Sequence, residues 1–95
     1  MPVKDYKNQV AELSPREREV VRLLTLGCTC VEVGKILDIA SSTVDNHKSR
    51  AMDKLGVHKL ALLTRVAIKH RLTSVGEQLT AAEKRKRGRK LDGWN

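Results

Sequence analysis

Apolar residues recur every three or four positions from Leu13 to Leu72, and short polar or glycine signals interrupt them. That spacing puts apolar side chains on one face of successive helices. In "LSPREREVVRLLTLG", Val20, Leu23 and Leu24 keep helical register. Ser14 followed by Pro15 and Glu17 is a start signal: a capping hydroxyl, a proline tolerated in the first turn, and an acid three residues after the cap. Gly27 supplies a stop, because a helix commonly ends on a left-handed residue. The pattern predicts a helix over about 15–26. "TCVEVGKILDI" repeats it, with Thr29 and Glu32 as a second capping box and Val33, Ile36 and Leu37 as the apolar face. A helix over about 30–37 follows. Gly34 lies inside it, at a cost of about 1 kcal/mol relative to Ala that a close helix approach would justify.

"DIA" reads as a tight turn, with Ile39 available to the core. A third helix is predicted over about 41–55, capped by Ser41 or Ser42 and stopped by Gly56. Val44, Ala51 and Leu55 form its buried stripe, and the stem of Lys48 fills the gap along it. A fourth, about 59–71, has two apolar stripes: Leu60, Leu63 and Ala67 for the core, and Leu62 with Val66 left over for a partner. The expected fold class is therefore all-α, a four-helix domain over 13–72. Residues 1–12 read as a linker or N-terminal extension. Residues 73–95 read as a basic, largely disordered tail, in which the capping-box spacing of Thr80 and Glu83 allows a further turn or two of helix before "KRKRGRK".

Composition fits this outline. Phe is absent and aromatics are rare, which suits a small aliphatic helical core. The net charge of +8 points to a polyanionic partner. Positive charge is not confined to the tail: residues 1–72 hold 13 Lys/Arg against 8 Asp/Glu. No apolar run approaches the roughly 18 residues of a membrane span, and the N-terminus lacks a signal-peptide core, so a cytoplasmic location is expected. Cys28 and Cys30 form C-x-C rather than a C-x-x-C redox pair. With three scattered histidines they give no zinc-site spacing, so they read as reduced thiols without a metal. No carboxylate pair, nucleophile–base pair or phosphate loop points to an enzyme, and no cofactor is expected.

Two short helices joined by a tight turn, the second polar on its outer face, describe a helix-turn-helix over the second and third predicted helices. Taken in order, "LSPREREVVRLLTLG", "EVGKILDI" and "TVDNHKSRAMDKLGV" resemble the LuxR-type DNA-binding domain, the output module of NarL/FixJ-class response regulators. The resemblance covers about residues 13–72. It implies a bacterial, cytoplasmic transcriptional regulator of a two-component system. It implies binding to double-stranded DNA as a homodimer at a palindromic site, with the third helix in the major groove and the fourth at the dimer contact. The sequence departs from the family at Cys30-Val31, where Asn-Lys is common, at Gly34 and Ala40, usually Ala and Ser, and at Asp45, often Lys.

Val44, Ala51 and Leu55 point inward, so Ser42, Asp45, Asn46, Ser49 and Asp53 point outward. The resemblance places base reading at Ser42, Asp45, Asn46 and Ser49. Asn46 can pair with adenine, and Asp45 can accept from the amino group of cytosine. Asp45 also suits the start of a helix through the macrodipole alone. Phosphate contacts are expected from Thr43, Lys48, Arg50, Lys54, His58, Lys59 and Lys35. Dimer contact is expected from Leu62 and Val66. A reader with so little groove charge admits an alternative, a module resembling sigma-factor region four that docks RNA polymerase or another protein.

Overall fold

The computed structural model describes residues 7–88, and every regular element among them is a helix. These are α1 (Lys7–Ala11), α2 (Pro15–Thr25), α3 (Cys30–Leu37), α4 (Ser41–Leu55), α5 (Leu60–Lys69) and α6 (Ala81–Arg87). The four helices expected from periodicity are α2 to α5. The outer parts of the expected linker and tail, residues 1–6 and 89–95, lie outside the described residues. No helix among the described residues is long and apolar enough to cross a membrane.

The caps follow the sequence signals closely. Ser14 Oγ accepts from the Glu17 amide while Glu17 accepts from the Ser14 amide, and Thr29 with Glu32 does the same for α3. Gly27 takes φ +100°, and the Cys28 amide donates to Leu23 O, closing the end of α2. Gly56 ends α4 in the left-handed region as expected. At the end of α3, however, it is Asp38 that adopts the left-handed conformation, at φ +59°. Aspartate is one of the few side chains that reach this region readily. α5 is shorter than expected. It closes when Arg71 turns left-handed and the Leu72 amide donates to Ala67 O at 2.8 Å.

α2 and α4 run between two apolar clusters and contribute to both. One gathers Val21 of α2, Ala51 and Leu55 of α4, and Leu63, Val66 and Ala67 of α5. The other gathers Val20, Leu23 and Leu24 of α2, Val33 and Ile36 of α3, and Val44 of α4. Two segments outside the four expected helices also contribute. Val10 of α1 and Leu13 are buried in the first cluster, and Leu79, just before α6, is buried in the second. Residues 7–12 are therefore folded against the domain where a linker was expected. Arg18 fixes them, donating from Nη2 to Val10 O at 2.8 Å and from Nε to Leu13 O at 3.4 Å. Residues 73–88 are likewise structured where disorder was expected. Thr73 is buried, and α6 packs on α3.

Arg22 of α2 holds this C-terminal segment. Its Nη1 and Nη2 donate to the two carboxylate oxygens of Glu83 at 2.7 and 3.2 Å, and its Nε donates to Glu77. Glu83 is at once the capping-box acid of α6, so the clasp and the cap share one side chain. Arg22 holds the Glu83 carboxyl below its ordinary value. For Glu77, burial pushes upward, but the hydrogen bonds from Arg22 and Thr73 outweigh it and the net shift is downward.

Gly34 shows why the α3–α4 turn can be so short. A Cβ there would lie 2.6 Å from Ile39 O, a backbone atom that can move only by moving the turn. Gly34→Ala should therefore lose about 1 kcal/mol net despite the better helix propensity of Ala, a fall of roughly 4–8 °C in Tm for a domain of this size. Thermal melts that show an unchanged or higher Tm would mean that the turn opens freely.

The clasp makes a second forecast. A carboxyl whose pKa is lowered by folding contributes stability above its unfolded value, near 4.5 here, and loses it as pH falls through the folded value. Stability should decline with acid below about that value. Arg22→Met should be less stable at neutral pH and show a shallower acid decline. Parallel profiles for the two proteins would remove the clasp from the acid response.

Candidate nucleic-acid interface

α3 and α4 form the helix-turn-helix, and the candidate interface is the outer face of α4. Val44, Ala51 and Leu55 are completely buried, which fixes the rotation of the helix about its axis. Ser42, Asp45, Asn46 and Ser49 are all exposed as a consequence. Their spacing of three and four residues makes one continuous polar row. Thr43, Arg50, His58 and Lys59 are also exposed, while Lys48 is half-buried as a long side chain lying along the helix. A shallow groove of about 320 Å³ runs beside the row. Asp45, Lys48, Ser49 and Asp53 of α4 line it together with His58 and Leu60 from the α4–α5 corner.

The start of α4 differs from the expected one. Neither Ser41 nor Ser42 caps it. The cap position is Ala40, which has no side-chain hydrogen bond to offer, and the serines are already the first two helical residues. A serine caps only from the extended position before the helix, so its hydroxyl cannot serve once it is inside. The first-turn amides of α4 are thus left to solvent or to a ligand. The same shift makes Asp45 the fifth residue of the helix. No acid lies in its first turn. The dipole account of Asp45 weakens accordingly, since that effect fades beyond the first turn.

Lys54 is engaged elsewhere. Its Nζ donates to Glu17 at 2.7 Å and to Glu12 O at 3.2 Å. Glu17 is almost fully buried beneath it. Burial pushes the Glu17 carboxyl upward, but Lys54 and the Ser14 amide outweigh this and hold it below its ordinary value. Lys54 therefore ties the end of α4 to the start of α2 instead of facing outward with the other expected phosphate contacts. The sequence shows both residues, but a pair 37 positions apart leaves no periodic trace.

The expected dimer residues separate. Leu62 is exposed, but Val66 is buried with Leu63 and Ala67 in the first cluster, and Leu60, expected inside, is half-exposed at 50%. Val66 is four residues from Leu62 and three from Leu63, so spacing alone allows either grouping. The core uses the three-residue one. Leu60, as the first residue of α5, lies at the corner over the groove. The exposed apolar pair at this end of α5 is Leu60 and Leu62.

Lys35 is exposed on α3 and lies close to the end of α6. Its Nζ is 3.5 Å from where a Cβ on Gly88 would sit. His47 is half-buried on α4, and its Nδ1 has no hydrogen-bond partner among the described residues. Cys28 is buried in the second cluster and Cys30 packs against it as the first residue of α3.

Comparison with known proteins gives a consistent result. The profile of the GerE family, described as "Bacterial regulatory proteins, luxR family", matches residues 11–67. The transcriptional regulatory protein MctR of Rhizobium johnstonii is 36% identical over 62 residues, 65% of this chain and 29% of that protein. The response regulator UvrY of Escherichia coli is 34% identical over 62 residues, 65% of this chain and 28% of its own. The transcriptional regulatory protein FixJ of Bradyrhizobium diazoefficiens is 32% identical over 65 residues, 68% of this chain and 32% of its own. The matched stretch thus spans less than a third of the length of these relatives. No solved structure gives a significant match.

Lys54→Met separates scaffold from interface. Leaving a buried carboxylate without its cation should cost about 1–3 kcal/mol, seen as a lower denaturation midpoint. The salt dependence of DNA binding should hardly change. If that dependence fell by a full phosphate contact while stability held, Lys54 would belong to the interface after all.

Proposed function

The chain belongs to the luxR family of bacterial regulatory proteins, and from that membership we propose that it is a sequence-specific DNA-binding transcriptional regulator. It sets α4 in the major groove and binds a palindromic site as a dimer. The observation that carries this reading is the exposed row Ser42, Asp45, Asn46 and Ser49 on a helix whose other face is fully buried. A major groove admits one such helix, and polar side chains on its outer face reach base edges. Asn46 has the donor and acceptor for adenine, and Asp45 accepts from cytosine.

Phosphates are met by Thr43, Lys48, Arg50, His58, Lys59 and Lys35. The uncapped amides at the start of α4 add donors of the kind that bind a backbone phosphate. Leu60 and Leu62 are the apolar residues on α5 available to a second copy. Half-sites about one helical turn apart would suit two such copies. Relatives named as response regulators and transcriptional activators are about three to four times longer than the stretch they share. The domain's role is accordingly that of an output module.

The test begins with duplexes selected by the protein from a randomised pool. A symmetric consensus is expected. Asn46→Ala should cost about 1–3 kcal/mol on the consensus and relax choice at one position of each half-site. Asp45→Lys should raise affinity for unrelated duplexes while relaxing a neighbouring position. Equal affinity for selected and random duplexes at physiological salt would end the reading.

A further inference from the structure

The charge on α4 is small for a helix that enters a polyanion's groove. Lys48 and Arg50 are matched in number by Asp45 and Asp53, and Lys54 is held by Glu17. The electrostatic part of binding must come from around the helix. The densest source among the described residues is α6, which carries Lys84, Arg85, Lys86 and Arg87 in succession.

The arrangement of α6 separates its charges. Its one acid, Glu83, is turned onto Arg22, and Glu77 of the preceding loop is bound by the same guanidinium. The acids of the segment face the domain. Arg85 and Lys86 are exposed, Lys84 is half-buried and Arg87 is buried. α6 packs along α3, the first helix of the helix-turn-helix, and its end adjoins Lys35 of α3. The C-terminal end of α6 is therefore next to an exposed cation of the helix-turn-helix.

We propose that α6 is a second DNA-backbone contact, a basic arm clamped beside the helix-turn-helix by Arg22, with Arg85 and Lys86 meeting phosphates that flank the sequence α4 reads. Lys35 links the two surfaces. This rests on the DNA-reading assignment above and adds a ligand site outside its four helices. A helix already docked loses less freedom on binding than a disordered tail carrying the same charges. Phosphate contacts add affinity and register but carry no base information, so the arm strengthens binding without altering the consensus.

The test uses the full chain and a consensus duplex with ten flanking base pairs on each side, titrated over a salt series. Each phosphate contact contributes about 0.9 to the slope of log affinity against log salt. The double variant Arg85→Ala/Lys86→Ala should lower that slope by about 1.8. The affinity advantage of the native chain should then shrink about tenfold between 50 and 200 mM salt, with the base preferences unchanged. Arg22→Met, checked for retained helicity, keeps every cation of α6 but releases the clasp, and it should reproduce part of the same loss. Glu83→Gln, which weakens the clasp from the other side, serves if Arg22→Met proves too unstable to titrate. Native slope and affinity in the double variant would overturn the proposal while the consensus still stands. Loss in the double variant with none in either clasp variant would reduce α6 to a loose tail and overturn the docked arm. A native chain with no consensus at all would instead remove the reading assignment, and the arm with it.

Discussion

At Gly34 the backbone of α3 lies so near the following turn that a single methyl group would collide with Ile39 O. The Ile39 amide donates back to Gly34 O at 3.0 Å, and Asp38 takes the left-handed conformation between them. Three residues, Asp38 to Ala40, therefore suffice to turn the chain from α3 into α4. Everything on the outer face of α4 inherits its direction from that approach. Once α4 leaves the turn at a set angle and buries Val44, its polar row can face only one way. The residues of that row need no contacts among themselves to be aligned, because the buried stripe and the turn align them from behind.

The helices differ in how their ends are satisfied. α2, α3 and α6 each begin with a complete capping box that consumes their own side chains. α4 begins with Ala40 and α5 with Lys59, and neither has a side-chain cap. Local rules are most often broken where a protein keeps groups for a ligand. The other end of α4 is treated in the opposite way. Lys54 is tied to Glu17, and Glu17 is also the capping acid of α2. One carboxylate thus joins the beginning of α2 to the end of α4. α4 is tied to α2 at its end and has no side-chain cap at its start.

Much of this was legible in the sequence, and the parts that were not share a physical cause. Helices α2, α3 and α4 announce themselves through caps, glycine stops and an apolar period, which are local signals. The all-helical class and the exposure of Ser42, Asp45, Asn46 and Ser49 follow from the same period. α1 is five residues long and carries one strong apolar anchor, Val10, too little for periodicity to register. α6 hides because its docking depends on Arg22, more than fifty positions away. The tie of Lys54 to Glu17 is hidden for the same reason: its partner is distant in sequence. Val66 is the remaining kind of error. Two apolar stripes on one short helix satisfy the same spacing rule, and only the neighbouring surfaces decide which is buried.

The pairing pattern also changes what the net charge means. A total of +8 says that the chain favours polyanions, but not where. Glu17 is paired with Lys54, and Glu77 and Glu83 are both paired with Arg22. Three negative charges are thereby paired with two positive ones, and Arg87 is buried as well. Acids remain exposed at Glu12, Glu19 and Asp38 as well as at Asp45 and Asp53, and the last two lie on α4. A uniformly basic recognition helix would attract any duplex. On the proposed reading, a nearly neutral one, flanked by cations on α3, α6 and the α4–α5 corner, gains attraction from its borders and leaves discrimination to the row between them.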